Sequence, residues 1–301
     1  MKIGVLYRSN IIEEAPRIDT QEYTDAPSLI ENIAETIAEL RARYTRIAAI
    51  GCGMPGFVDF EKGIVHNLTN VVGWQNIPLK RLLGLATGLP CVIENDANCM
   101  AYAEWKRGSG RGMKHMVALT LGTGVGGGII INNQIVRGAQ SGAGELGQTS
   151  IHYAGRRGAY GNLGALEDYI GNREIAADAL AIYKNAGVEK SLEECEPAKL
   201  ARAASNGDKI ACDIWDDVAG KLATAIMNCC YLLNPQAVVI GGGVAQAGEI
   251  LFTPLQLQLK AQLNATFYDQ LQILPARFGN ESGMIGAATL ALEEAGFSVD
   301  D

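Results

Sequence analysis

Leu121-Gly122-Thr123-Gly124-Val125-Gly126-Gly127-Gly128-Ile129-Ile130-Ile131 is the stretch on which the reading turns. Residues 122–127 satisfy the G-x-G-x-x-G pattern of a dinucleotide-binding turn. That fingerprint needs a helix directly after the glycines, with phosphate on its N-terminus. Here the glycines run into three isoleucines, and the apolar residues 116–121 precede them. The pattern predicts strand, glycine turn, strand. Such a turn is either a plain hairpin bend or a cup for phosphate oxygens, built from successive backbone N–H groups with the Thr123 hydroxyl added.

Downstream, a buried-strand pattern at residues 237–240 ends in Gly241-Gly242-Gly243 and leads into a helical stretch. Ligands of α/β sheets bind beyond the carboxyl ends of strands, so a nucleotide could lie there against bare backbone. A structural tight turn uses the same residues, but two glycine clusters at strand ends favour a nucleotide site. Upstream, strand 91–93 ends in Glu94-Asn95-Asp96, and a helix is predicted over 97–107. Asp96 can cap that helix or act as a general base toward a substrate hydroxyl. Glu145 and Glu167 stand in glycine-rich surroundings. They are either solvated surface groups or acceptors for the hydroxyl donors of a sugar.

The chain opens as a hairpin, residues 2–7 and 11–20 about a turn at Arg8-Ser9-Asn10. A helix beginning at Pro27-Ser28 carries Leu29, Ile30, Ile33, Ile37 and Leu40 at helical spacing. Strand 47–52 leads into Gly53-Met54-Pro55-Gly56. A long helix over 210–233 repeats Ile210, Ile214, Val218, Leu222 and Ile226 on one face, and a final helix spans 284–295. Hairpins interspersed among strands and helices predict two mixed α/β lobes, 1–107 plus 284–301 and 108–283.

Composition narrows the function. The chain has 301 residues, 48% of them hydrophobic and 19% charged, as in soluble globular proteins. A net charge of -8 excludes a nucleic-acid partner, because the Lys/Arg field that neutralises a phosphate backbone is missing. Any bound phosphate must therefore be held mainly by backbone N–H groups and metal ions. The seven cysteines include no Cys-x-x-Cys pair and read as reduced thiols of a cytoplasmic protein. No signal-peptide pattern is present, and the longest apolar run, 222–233, is too short to span a membrane and is broken by Asn228.

In their order and spacing the motifs resemble the ROK family of sugar kinases and sugar-responsive repressors. The likeness rests on Gly53-Met54-Pro55-Gly56-Phe57-Val58-Asp59, Glu94-Asn95-Asp96-Ala97-Asn98, residues 121–128, and Gly144-Glu145-Leu146-Gly147. Leu166-Glu167, Asn234-Pro235 with Gly241-Gly242-Gly243-Val244, and Gly286-Ala287-Ala288 complete it. The resemblance implies a two-lobed actin-like ATPase (ribonuclease H-like) α/β fold with mixed sheets. It also implies ATP-dependent phosphorylation of a hexose, glucose or a close relative, with Mg²⁺. Asp96 would be the base for the 6-hydroxyl, while Asn95, Glu145, Glu167, Gln148 and Gly56 would hold the sugar. Gly122, Thr123 and Gly124 would face the phosphates, and Gly241, Gly242 and Gly243 would lie near the adenosine. A homodimer is the expected assembly.

Two departures from the family pattern qualify this. The usual zinc ligands, a His after Gly-Glu-x-Gly and three Cys in Cys-x-Cys-Gly-x-x-Gly-Cys, are replaced by Gln148 and by Gly158, Tyr160 and Ala165. No structural zinc is expected. The family's opening Asp-x-Gly-Gly-Thr strand is also missing, so the chain resembles the family from its second strand onward. That implies an unfilled internal sheet position and impaired catalysis. The alternatives are an N-terminally incomplete kinase and a non-catalytic sugar sensor.

Overall fold

The computed structural model describes residues 1–8, 10–68 and 71–298. In chain order, β1 (Gly4–Tyr7), β2 (Asn10–Glu14), α1 (Ala26–Arg43) and β3 (Ile50–Met54) are followed by β4 (Val58–Asp59), β5 (Ile64–Asn67) and β6 (Gln75–Ile77). Then come α2 (Leu79–Thr87), β7 (Cys91–Asn95), α3 (Asp96–Arg107), β8 (Met116–Leu121), β9 (Val125–Ile131) and β10 (Gln134–Ile135). The remainder is largely helical: α4 (Glu167–Ile170), α5 (Asn172–Asn185), α6 (Pro197–Ser205) and α7 (Lys209–Leu233), then β11 (Ala237–Gly241), α8 (Glu249–Gln262), α9 (Ala265–Tyr268), β12 (Gln272–Pro275) and α10 (Ser282–Glu294).

These elements form two compact units. The first comprises Met1–Arg111, Ile135–Ala143 and Asn280–Asp301; the second comprises Gly112–Gln134 and Gly144–Gly279. The short return of 135–143 to the first unit has no sequence signal of its own.

In the first unit, β1 and β2 pair antiparallel and β3 pairs with β7 in parallel. The two ladders remain separate two-stranded sheets. Arg8 adopts the left-handed conformation at the hairpin turn, φ 49°, and Ser9 of the predicted turn lies outside the described residues. The second strand stops at Glu14, well short of residue 20, because Pro16 has no N–H to continue a ladder and Thr20–Glu22 coils into a 3₁₀ turn. Strands β4, β5 and β6 form an antiparallel meander. Asp25 caps α1, its Oδ1 accepting the Ser28 N–H at 2.8 Å, with Pro27 in the first turn. The inward stripe Leu29, Ile30, Ile33, Ile37 and Leu40 is buried as its spacing predicts, and the first four of these pack with Val65, Trp74 and Leu83.

In the second unit the sheet order is β10-β9-β8-β11-β12. Strand β8 is antiparallel to β9 and parallel to β11, which is parallel to β12. Helix α7 is capped by Asp208, whose Oδ1 accepts the Ile210 and Ala211 N–H groups at 3.0 and 3.2 Å. It ends at Asn234 in the left-handed region, φ 46°, just before Pro235. Among the described residues no helix is long and apolar enough to cross a membrane.

Helix α10 touches both β3 and α3 with no side chain in between. A Cβ on Gly286 would collide with the carbonyl of Cys99, and one on Gly51 with the carbonyl of Ala287. The far end of the same contact is closed by Glu293, which accepts from the Tyr102 hydroxyl and pairs with Lys106 Nζ at 2.8 Å. Cys91 and Cys99 are buried and Cys52 half-buried in this packing. Burial pushes the Cys99 thiol well above the usual range; a hydrogen bond with Cys91, together with burial, does the same to Cys52.

Replacing a helical Gly with Ala normally stabilises by roughly 0.8–1 kcal/mol. Gly286→Ala is expected instead to destabilise by about 1–3 kcal/mol, because overpacking outweighs propensity. A urea titration would show the midpoint falling with an unchanged slope; an unmoved midpoint would mean that the two helices part easily.

Candidate functional site

At the end of β7 two adjacent polar residues are held differently. Asn95 is the cap of α3: its Oδ1 accepts the N–H of Ala97 at 2.9 Å and of Asn98 at 3.1 Å. Its Nδ2 donates to the carbonyl of Gly56 at 3.1 Å, tying the helix start to the Gly53-Met54-Pro55-Gly56 turn. Gly56 holds φ 80°, the left-handed region that glycine adopts without strain. Asp96 is therefore not needed as the cap. It is the first residue of α3 and exposed, with Oδ1 accepting the Ala97 N–H at 2.9 Å. Crowding by the surrounding protein lifts its carboxyl above the usual aspartate range, against the opposing pull of that N–H. A carboxylate that faces outward and holds a proton more readily than usual suits proton acceptance.

Beneath this pair lies a residue whose role sequence reasoning missed. Glu94 is buried and its carboxylate pairs with Arg137 Nε at 2.7 Å. The available signal was a charged residue ending the apolar run Cys91-Val92-Ile93.

In the second unit the Gly144-Glu145-Leu146-Gly147 segment lies flush on β9. A Cβ at Gly147 would strike the Val125 carbonyl, and one at Gly144 would press on that of Gly127. Leu146 is buried, Glu145 is exposed, and Gln148 ends a 3₁₀ turn, Leu146–Gln148, its N–H bonded to the Glu145 carbonyl at 3.1 Å. Gln148 and Glu167 meet: Gln148 Nε2 donates to Glu167 Oε1 at 3.2 Å. The other oxygen, Oε2, accepts the Val125 N–H at 2.8 Å, so one carboxylate joins Gln148 to the end of the glycine turn.

That turn is compact, the Gly122 N–H donating to the Gly124 carbonyl at 2.9 Å. Strand β9 starts at Val125, so Gly126, Gly127 and Gly128 lie within a strand and no helix follows. The dinucleotide reading fails on that ground. The two glycine clusters stand side by side, at the carboxyl ends of the adjacent parallel strands β8 and β11. Gly242, φ 89°, rests on the Leu121 backbone where a Cβ would not fit. After Gly243 comes a 3₁₀ turn, Val244–Ala247, before α8 begins at Glu249, so the expected helix arrives one turn later. The N-terminus of α5 closes in from the side, the Asn172 N–H donating to the Gly122 carbonyl at 2.8 Å. A cavity of about 990 Å³ opens beside these elements, lined among others by Asn172, Arg173, Arg157, Gly243 and Gln246. A Cβ built on Gly122 or Gly243 would meet no atom beyond its chain neighbours within 4 Å among the described residues. The cavity lining mixes the guanidinium groups of Arg156, Arg157 and Arg173 with the carboxylates of Asp168, Glu174 and Glu196, so donors toward an anion there would come chiefly from bare backbone and the start of α5.

The loop between Gln148 and Glu167 is stapled by polar side chains. Arg156 forks onto Asp178 at 2.7 and 2.9 Å and packs over the Tyr169 ring, 4.7 Å from its centroid. Asn162 Nδ2 donates to the Gln148 carbonyl at 2.8 Å. Among the described residues no three His, Cys, Asp or Glu side chains gather as a metal cage.

The profile of the ROK family matches residues 2–294. The glucokinase of Thermotoga maritima is 33% identical over 303 residues, covering 98% of this chain and 94% of the relative. A ROK family glucokinase from Streptomyces griseus, solved with glucose and AMPPNP, superposes with a TM-score of 0.80 at 29% identity, over 97% of this chain and 96% of that one. A ROK family transcriptional regulator, a homologue of the E. coli MLC protein, gives 0.85 at 28% identity over 95% of this chain but 73% of that one.

The raised Asp96 carboxyl carries a stability signature. A group that binds its proton more tightly folded than unfolded stabilises below its unfolded pKa, and that contribution is lost as pH rises through the folded pKa. Asp96→Asn is therefore expected to keep or slightly raise the melting temperature at pH 8, the advantage vanishing at acid pH. A clear loss at pH 8 would show that the charge is needed for the fold.

Proposed function

The chain belongs to the ROK family and has its α/β actin-like ATPase fold, and on that premise we propose that it transfers the terminal phosphoryl group of ATP to the 6-hydroxyl of glucose or a related hexose. The observation that carries the proposal is the pair of glycine turns at the ends of β8 and β11 beside the cavity. It favours a nucleotide ligand over a sugar alone.

In this reading the Gly122-Thr123-Gly124 turn faces the polyphosphate, which the N–H groups of Thr123 and Gly124 and the first turn of α5 after Asn172 hold; the Gly122 N–H closes the turn onto the Gly124 carbonyl. Gly241, Gly242 and Gly243 leave room for the adenosine. Asn95, Gly56, Glu145, Gln148 and Glu167 bond the sugar's hydroxyls; Glu167 and Gln148 already contact each other, so they are ordered before sugar arrives. Asp96 accepts the proton as the sugar oxygen bonds to the γ-phosphorus and the bond to the β-phosphate oxygen breaks. Mg²⁺, arriving with the nucleotide, would neutralise phosphate charge. The described carboxylates form no cage for it, so no step is assigned to a metal ligand of this chain.

A second reading, a non-catalytic sugar sensor, is favoured by the likeness to the transcriptional regulator. ADP release with Mg-ATP across glucose, mannose, fructose, allose and the N-acetylated hexosamines separates the two. The kinase reading expects turnover with one of them and a loss of about 10²–10⁴-fold in Asp96→Asn, with sugar affinity kept. Turnover should also fall toward acid pH as Asp96 takes up its proton. Sugar-dependent thermal stabilisation without ADP release would establish the sensor instead.

A further inference from the structure

We propose that Glu94 is a positioning residue for the proton-accepting carboxylate, acting through a hydrogen-bond relay that Arg137 completes; the inference rests on Asp96 as the base. Glu94 is 2% exposed, and an unpartnered carboxylate there would be strongly disfavoured. Both of its oxygens are engaged. Oε1 accepts the N–H of Asn95 at 2.9 Å and the Nδ2 of Asn98 at 3.0 Å; Oε2 accepts Arg137 Nε at 2.7 Å. Arg137 is fixed in turn, its guanidinium carbon 3.5 Å from the centroid of the Phe60 ring and its carbonyl accepting the Ala143 N–H at 2.9 Å.

The direction of Asp96 is set by the backbone of residues 95–98. Two side chains brace it: Asn95 through the N–H groups of Ala97 and Asn98, and Glu94 through the N–H of Asn95 and the side chain of Asn98. An apolar residue would fill position 94 as well as its neighbours Val92 and Ile93 fill theirs. What a carboxylate adds is an acceptor on two sides at once.

That requirement yields a sharp test. A glutamine in place of Glu94 has one acceptor and one donor. It can satisfy Arg137 or the Asn95–Asn98 side, but it must present N–H to N–H at the other. A second change, Arg137→Gln, would restore the match, because the amide oxygen of a glutamine stands the same number of bonds from Cβ as Nε of arginine. That oxygen could accept from the amide nitrogen introduced by Glu94→Gln and leave the amide oxygen introduced there to Asn95.

Steady-state kinetics of the full chain with Mg-ATP and its best hexose would compare wild type, Glu94→Gln, Arg137→Gln, the double variant and Asp96→Asn. Glu94→Gln is expected to lower kcat by about 10- to 100-fold with KM for the sugar within about threefold, and the double variant to recover most of the loss. Exchange of the Asn95 amide, followed by NMR, should quicken in Glu94→Gln and return toward the wild-type rate in the double variant. Undiminished kcat in Glu94→Gln, or a double variant no better than it, would overturn the proposal. If Asp96→Asn retains full turnover, or no hexose is turned over, the base assignment fails separately. Amide exchange then decides the relay, and an unchanged rate rejects it.

Discussion

The line along which α10 meets β3 and α3 sets the frame for the first unit. Where Gly51 and Gly286 bring backbone onto backbone, the separation is set by direct van der Waals contact of main chain and leaves nothing to rotamer choice. Strand β3 holds β7 by its parallel ladder, and the end of β7 becomes the start of α3. The Asn95–Asp96 junction thus inherits a position dictated by main chain alone, and side-chain bonds only refine it.

The second unit follows the same rule with different parts. Its glycines let the main chain lie flat on the main chain, as Gly147 does on Val125, and Glu167 bridges what remains between β9 and Gln148. An acidic protein can present donors to an anion without adding many cations. Exposed N–H groups at strand and helix ends supply them, because they carry fixed partial charge and no conformational entropy to lose.

Much of this was legible in the sequence. The strand–turn–strand at residues 121–131, the stripe of α1, the face of α7 and the strand end at residues 91–96 rest on local periodicity and on glycine placement. What was not legible is non-local. Nothing near Arg137 announces that 135–143 belongs to the first unit or that its guanidinium meets Glu94. The adjacency of the two glycine clusters depends on β8 and β11 pairing across 116 to 241, a matter of topology rather than pattern. The early end of β2 was readable, since Pro16 stands in the predicted strand. That Asn95 rather than Asp96 caps α3 could not be read, because both residue types cap helices equally well.

The buried cysteines of the first unit give the junction a built-in reporter. Only a thiolate reacts readily, and burial keeps Cys99 both protonated and out of reach. It can be alkylated only from a state in which α3 has parted from its neighbours. The labelling rate of that one thiol is thus a measure of local opening, separate from global unfolding. Any ligand that binds only the closed junction would slow the labelling in proportion to its occupancy.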